Sequence, residues 1–278
     1  MTAATPTKPK RTYTPEERAA ARKKAKQELV DAIGTLHTDE GWLAWLDFRS
    51  NFRNYSWSNQ VLLAWQKPDA TQFNTYKRWK ALGRTVKKGA KAAGIYVYTG
   101  NAKEQDENGE EREGRPLFRF VRCLFDVAET EGDDLPENVA MQHEKGDTHE
   151  DYYNRLIAHC EERGITVSIA PTGDAGGWYT PSTNSITLSD ADDVNGRLQA
   201  LIHELIHANG VGYDEFGRAT AEVITESAAY IVVRGLGLES KRSIYYVGGW
   251  AGGDTKLIEA ATKRIDEAAK QVEKALHG

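Results

Sequence analysis

Leu201-Ile202-His203-Glu204-Leu205-Ile206-His207 decides how the second half of this sequence is read. Two histidines four apart on a helix project from one face, so both imidazoles can hold one metal ion with Glu204 beside them. The spacing is the H-E-x-x-H pattern of zinc sites. Leu198, Leu201, Ile202, Leu205 and Ile206 give the same helix a face to bury, which puts the histidines at the edge of packed structure. The plainer alternative is two exposed histidines on an amphipathic helix. With 7 His among 278 residues, chance produces the pattern in about one such chain in a hundred.

A catalytic zinc needs three protein ligands and an open position, so a third donor must come from elsewhere. Glu222 and Glu226 stand four apart on the next helical stretch, where Ala219, Ala221, Ala228 and Ala229 let two helices approach closely. Glu222 has a surface partner in Arg218, one turn earlier. Glu226, among Ala228, Ala229 and Ile231, is a carboxylate whose apolar setting is costly unless it meets a cation, so it is the expected third ligand. Asp214 is a weaker choice. Zinc on His203, His207 and Glu226 would lower the pKa of its bound water to about 7, with Glu204 as general base towards a carbonyl and then as acid towards the leaving amine. Tyr213, Tyr245 and Tyr246 are candidates to steady the oxyanion, although a core or surface role is the plainer reading of each. A strand expected at residues 185–188 would offer an edge on which an extended peptide adds, which favours peptide over small-molecule hydrolysis.

Outward from the motif, the same unit contains a helix over residues 151–163, a strand over 165–170, a Gly-rich turn and a short strand at 178–180. Helices over 197–208 and 216–234 carry the metal candidates, and an amphipathic helix over 255–276 follows a glycine-rich bend at 247–253. Residues 129–150 are acidic and polar, with turn formers at Gly132-Asp133-Asp134 and Gly146-Asp147, and mark a junction. Before it, Thr14-Pro15-Glu16-Glu17 supplies an N-cap, a proline at the first helical position and an acidic third residue, starting a helix towards Leu36. Further helices are expected over 41–48, 57–66 and 74–82, the last closed by Gly83. Strands over 94–98 and 117–127 flank a polar stretch, 100–115, read as a hairpin or mobile loop. The fold class is α+β in two domains, residues 13–137 and 151–278, with a basic tail over 1–12 and an acidic linker over 138–150.

Composition narrows the function. Hydrophobic residues make up 40% and charged residues 28%, which excludes wholesale disorder. No apolar run approaches the roughly 20 residues of a membrane span, and the N-terminus lacks a secretory apolar segment, so a cytoplasmic protein is expected. Cys123 and Cys160 suit neither a disulfide framework nor a cysteine zinc site. The net charge of −5 hides an asymmetry: residues 1–100 hold 18 Lys and Arg against 8 Asp and Glu, and the rest 18 against 33. An anionic polymer, most simply nucleic acid, suits the first part only. There Tyr55, Trp57, Asn59, Tyr76 and Trp79 interleave with Arg53, Lys77, Arg78, Lys80, Arg84, Lys87, Lys88 and Lys91. Single-stranded DNA is bound by such mixtures, rings stacking on bases and cations meeting phosphates. For each aromatic, core packing is the plainer alternative. The turn Lys87-Lys88-Gly89-Ala90-Lys91 is more specific, since its lysines have little use in a core.

Taken together, Tyr55-Ser56-Trp57-Ser58-Asn59-Gln60, Pro68-Asp69-Ala70-Thr71, the run from Trp79 to Lys91 and Phe125-Asp126-Val127-Ala128 resemble the single-stranded DNA-binding domain of ArdC-type antirestriction proteins of mobile elements. His203-Glu204-Leu205-Ile206-His207, Thr225-Glu226-Ser227-Ala228-Ala229 and Tyr246 to Trp250 resemble that family's zincin-like metallopeptidase domain. The resemblance implies a protein that binds single-stranded DNA, carries a gluzincin-like zinc site with Glu226 as third ligand, acts on a protein or peptide and protects incoming DNA from restriction. The competing expectation is a DNA-coating protein whose metal site is structural or inactive.

Overall fold

The computed structural model describes residues 14–105, 111–133, 149–240 and 254–278. The expected tail over 1–12, most of the acidic linker, the glycine-rich bend and both Tyr245 and Tyr246 lie outside the described residues. Helix α1 (Pro15–Thr35) starts where its capping box requires: Thr14 Oγ1 accepts from the Glu17 N–H, and the Glu17 carboxylate accepts from the Thr14 N–H. Such a cap contributes about 1 kcal/mol. On α2 (Asp39–Asn51) and α3 (Trp57–Gln66), apolar residues at three- and four-residue spacing turn inward, and Trp42, Trp45, Leu46, Trp57, Val61 and Leu62 are all buried.

A mixed unit follows, made of β1 (Phe73–Thr75), α4 (Tyr76–Ala81), β2 (Arg84–Val86), β3 (Ala93–Gln105), β4 (Glu111–Asp126) and β5 (Thr130–Gly132). Gly83 ends α4 with φ +75°, a left-handed conformation in which a side chain would be strained. β4 lies between β1 and β3, antiparallel to both, and β2 pairs with β5. The β3–β4 hairpin is longer than its apolar pattern indicates, because the polar residues on both sides of its tip continue the ladder as far as Gln105 and Glu111. The three-residue strands β1, β2 and β5 are too short to show a period of two and are absent from the sequence reading.

The second half opens with α5 (Glu150–Glu162) and a sheet of β6 (Thr166–Ala170), β7 (Gly177–Thr180) and β8 (Ser185–Ser189) in the order β6-β8-β7. β8 runs parallel to β6 and antiparallel to β7. This corrects one expectation: β8 has a partner on each side, so no edge is available on residues 185–188, and the edge next to the motif helix belongs to β7. Gly177 keeps β7 close to its neighbour, since a Cβ there would fall 2.6 Å from the Thr187 carbonyl oxygen. Then come α6 (Val194–Ala208), the single turn α7 (Tyr213–Phe216), α8 (Arg218–Gly235) and α9 (Thr255–His277). No helix of the described residues is long and apolar enough to cross a membrane.

The two halves share one apolar core. Leu36, Trp42, Trp45 and Leu62 belong to the same buried cluster as Leu201, Ile224, Ile231 and Ile265. An ionic network crosses that core from α2 to α9. Arg49, fully buried, donates from Nε to Asp266 and from both terminal nitrogens to Glu273 at 3.0 and 2.9 Å. Asp266 also accepts from Gln60 of α3 at 3.4 Å and from Lys270 at 2.6 Å. A buried guanidinium is tolerable only with such a partner set, and removing one side of a buried pair typically costs about 3–5 kcal/mol. Tyr230 of α8 donates to Asp47 of α2 at 2.8 Å, which ties the helix carrying Glu222 and Glu226 to the first half.

Candidate metal centre

Asp193 caps α6 by accepting from the Gly196 N–H at 2.7 Å, and the helix then runs through the histidine motif to Ala208. Leu198, Leu201, Ile202, Leu205 and Ile206 are fully buried, as their spacing indicates. His203 and Glu204 are buried too, while His207 is half-buried, and all three line a cleft of about 1130 Å³ together with Glu222 and Glu226. His203, Glu204 and His207 present their nitrogen and oxygen atoms within 4.8 Å of one another, and so do His203, Glu222 and Glu226.

The orientation of each ring follows from its partner. His207 Nδ1 lies 2.7 Å from the Val211 carbonyl oxygen, which only accepts, so Nδ1 carries the proton and Nε2 keeps its lone pair for the cleft. That Nε2 is 3.9 Å from Glu222 Oε1. His203 Nε2 is 3.5 Å from Glu222 Oε2, and His203 Nδ1 is 3.4 Å from Glu226 Oε1. The two carboxylates therefore meet different atoms of the site. Glu222 faces the Nε2 atoms of both histidines, and Glu226, deeper in α8, faces the far side of the His203 ring. Arg218, the expected surface partner of Glu222, instead lies over the Tyr213 ring at 5.8 Å.

Tyr213 closes one side of the cleft. Its ring is 5.2 Å from that of His207, and its hydroxyl donates to Glu222 Oε1. Burial and then the Glu222 hydrogen bond push its pKa up to about 12, so near neutral pH the phenol keeps its proton and acts as a donor. Asp214, the weaker ligand choice, lines the cleft from the exposed side of α7. The edge strand β7 contributes Gly177, Trp178 and Tyr179 to the same cleft. The Glu222 position is hinted at in the sequence by its four-residue offset from Glu226, which puts both on one helical face. The Val211 carbonyl carries no side-chain signal at all.

In the first half, several residues expected at a nucleic-acid surface are committed to the fold. Trp57 is 7% exposed and packs in the shared core. Asn59 bonds the backbone of Tyr96 through both amide atoms, at 2.9 and 2.8 Å. Tyr55 is half-buried against Phe52 and Phe73, and burial raises its pKa. Trp79 is fully buried with its indole N–H on the Phe125 carbonyl, and Arg84 bonds Thr130 and the Asp133 carbonyl across the β2–β5 pair. Lys87 donates to the Ala128 carbonyl at 2.9 Å. Tyr76, Lys77, Arg78, Lys80, Lys88 and Lys91 remain exposed around α4 and the turn before β3.

Residues 21–126 match the family described as the N-terminal domain of anti-restriction factor ArdC. An uncharacterized protein of Bacillus anthracis is 25% identical over 94% of the chain, which spans about half (52%) of that relative's length. The metal-free antirestriction ArdC protein from plasmid R388 superposes with a TM-score of 0.53 at 22% identity, covering 80% of this chain and 85% of that one. Its Mn(II)-bound form gives 0.50 at 20% identity, covering 81% and 90%. At these identities the structural likeness is one of fold. Residues 21–126 thus match an ArdC-type N-terminal domain, and the chain shares its fold with the ArdC protein of plasmid R388.

Proposed function

We propose that this chain is an antirestriction-type protein of a mobile element that binds single-stranded DNA with its first half and hydrolyses peptide bonds at a zinc centre in a zincin-like second half. The two parts are those of the sequence reading, residues 13–137 and 151–278, packed against each other on one shared core. The observation that carries the catalytic part is the convergence of His203 Nε2 and His207 Nε2 on Glu222, with Glu204 lining the same cleft.

The donor set fits a divalent cation, because His207 is held with its Nε2 lone pair free and two imidazoles with one carboxylate suit zinc. His203, His207 and Glu222 would hold it. Glu226, which sequence reasoning put in that set, lies 3.4 Å from His203 Nδ1, on the side of the ring away from Glu222, where its charge would orient the imidazole. A cation bound there supplies Lewis acidity towards a carbonyl oxygen and lowers the pKa of a bound water to about 7. Glu204 takes a proton from the attacking water and hands it to the leaving amine. Tyr213 donates to the oxyanion side when substrate draws it away from Glu222. An extended peptide lies along β7, whose second edge has no strand partner among the described residues.

The DNA part rests on Tyr76, Lys77, Arg78, Lys80, Lys88 and Lys91, which are exposed together and form no ion pair among the described residues. Arg84 and Lys87, which hydrogen-bond residues 128–133, would add their charge beside it, while Tyr55, Trp57 and Asn59 are taken up by packing and backbone contacts. The test uses the purified chain, stripped with a chelator and then reloaded with zinc. Hydrolysis of an unfolded protein substrate should require the metal and vanish in Glu204→Gln, whereas retardation of single-stranded DNA should persist in both states. Equal hydrolysis before and after stripping would sink the catalytic reading.

A further inference from the structure

The cleft around the histidines is far more acidic than a metal site needs. Beyond Glu204, Glu222 and Glu226 it is lined by Asp174 in the β6–β7 connection, Asp192 in the turn before α6 and Asp214 on α7. Arg218 is the one Lys or Arg among its described lining residues. A divalent cation offsets two of those six carboxylates and Arg218 a third, with the histidines neutral as ligands. A net negative field remains, and low-dielectric cleft walls focus it. The three additional aspartates come from three separate segments of the chain, so the acidity of the cleft lining does not rest on one cluster in sequence.

A second feature points to the same ligand. Trp178, on the edge strand β7, lines the cleft and is 43% exposed. An exposed indole beside carboxylates recognises Lys and Arg side chains through its ring face, while the neighbouring carboxylates pair with their charge. The alternative use of the acidic residues, holding more metal, is disfavoured by geometry: Asp174, Asp192 and Asp214 belong to neither group of closely placed donor atoms.

We infer that the site takes an extended peptide segment rich in Lys and Arg, as on the nucleic-acid-binding surface of a DNA-acting protein, and disfavours acidic segments. This rests on the peptidase reading above and names its substrate class. Placement would follow from the mouth: the segment adds along β7, Trp178 covers a basic side chain, and Asp174, Asp192 and Asp214 accept its charge.

The test titrates zinc-loaded, full-length Glu204→Gln with three labelled decapeptides of one backbone pattern, carrying Lys and Arg, Gln, or Glu at alternate positions, and reads fluorescence anisotropy. The basic peptide should bind at least tenfold more tightly than the acidic one, with the gap shrinking at high salt. Asp174→Asn, Asp192→Asn and Asp214→Asn together should remove most of the gap with zinc content unchanged. Equal binding of the three peptides, or a gap untouched by the triple substitution, would overturn the inference. Cleavage by the wild-type chain is measured in parallel. Basic preference without any cleavage would overturn the peptidase reading and keep the ligand class, and equal cleavage of all three peptides would do the reverse.

Discussion

At the metal end His203 and Glu204 are buried and line a cleft, whereas at the cationic end Trp57, Asn59 and Trp79 are as well buried and serve the packing of the fold. Both places carry suggestive residue types, and the spaced histidines are the more specific signal. What separates them is the range over which their placement is decided. On α6 a spacing of four fixes the relative direction of His203 and His207 whatever surrounds the helix. In the first half the direction of each aromatic ring depends on contacts far away in sequence, such as the meeting of Trp79 with the Phe125 carbonyl or of Asn59 with Tyr96.

The contrast is open to test, beginning with the largest effect. Glu204→Gln should reduce peptide hydrolysis by about 10²- to 10⁴-fold, the usual contribution of a positioned acid or base, while circular dichroism and zinc content stay as in the wild type. A variant that kept full activity would make the metal end structural and erase the difference between the two regions. Next is Trp57→Ala, expected to cost about 3–5 kcal/mol in denaturant unfolding because it empties a core position. If it left stability intact and abolished DNA binding, the sequence reading of Trp57 as a stacking platform would stand.

Smaller effects sharpen the picture. Tyr76→Ala should weaken single-stranded DNA binding by about 1–3 kcal/mol, the range for one base stacked on a ring, and leave stability unchanged. Lys88→Ala with Lys91→Ala should lower the slope of log affinity against log salt by about 0.7 for each phosphate that is no longer neutralised. Binding curves at several salt concentrations check both. A lysine variant with an unaltered slope would place the DNA elsewhere on the molecule.

Much of the fold is legible in sequence where signals are local. The capping box at Thr14 to Glu17, the glycine closing α4 and the amphipathic stripes of α3, α6 and α9 all depend on neighbours a few residues away. Strand order is not of that kind. β8 reads as an edge because its composition is that of any half-buried strand, and only the parallel return of β6 makes it central. The Arg49 network joins residues more than 200 positions apart, and nothing near Arg49 announces Asp266 or Glu273. The third donor falls between these cases. Helical spacing puts Glu222 and Glu226 on one face, but which of them meets the Nε2 atoms depends on how α8 lies against α6, and that is a matter of tertiary packing.

Zinc stoichiometry, by elemental analysis of Glu222→Gln and Glu226→Gln beside the wild type, is the most direct measurement of the proposed site. With His203, His207 and Glu222 as ligands and Glu226 behind His203, Glu222→Gln should lose its zinc at stoichiometric loading. Glu226→Gln should retain it with affinity lowered by about 10- to 100-fold. Full zinc in Glu222→Gln together with loss in Glu226→Gln would contradict this arrangement and return the third ligand to Glu226, one turn further along α8.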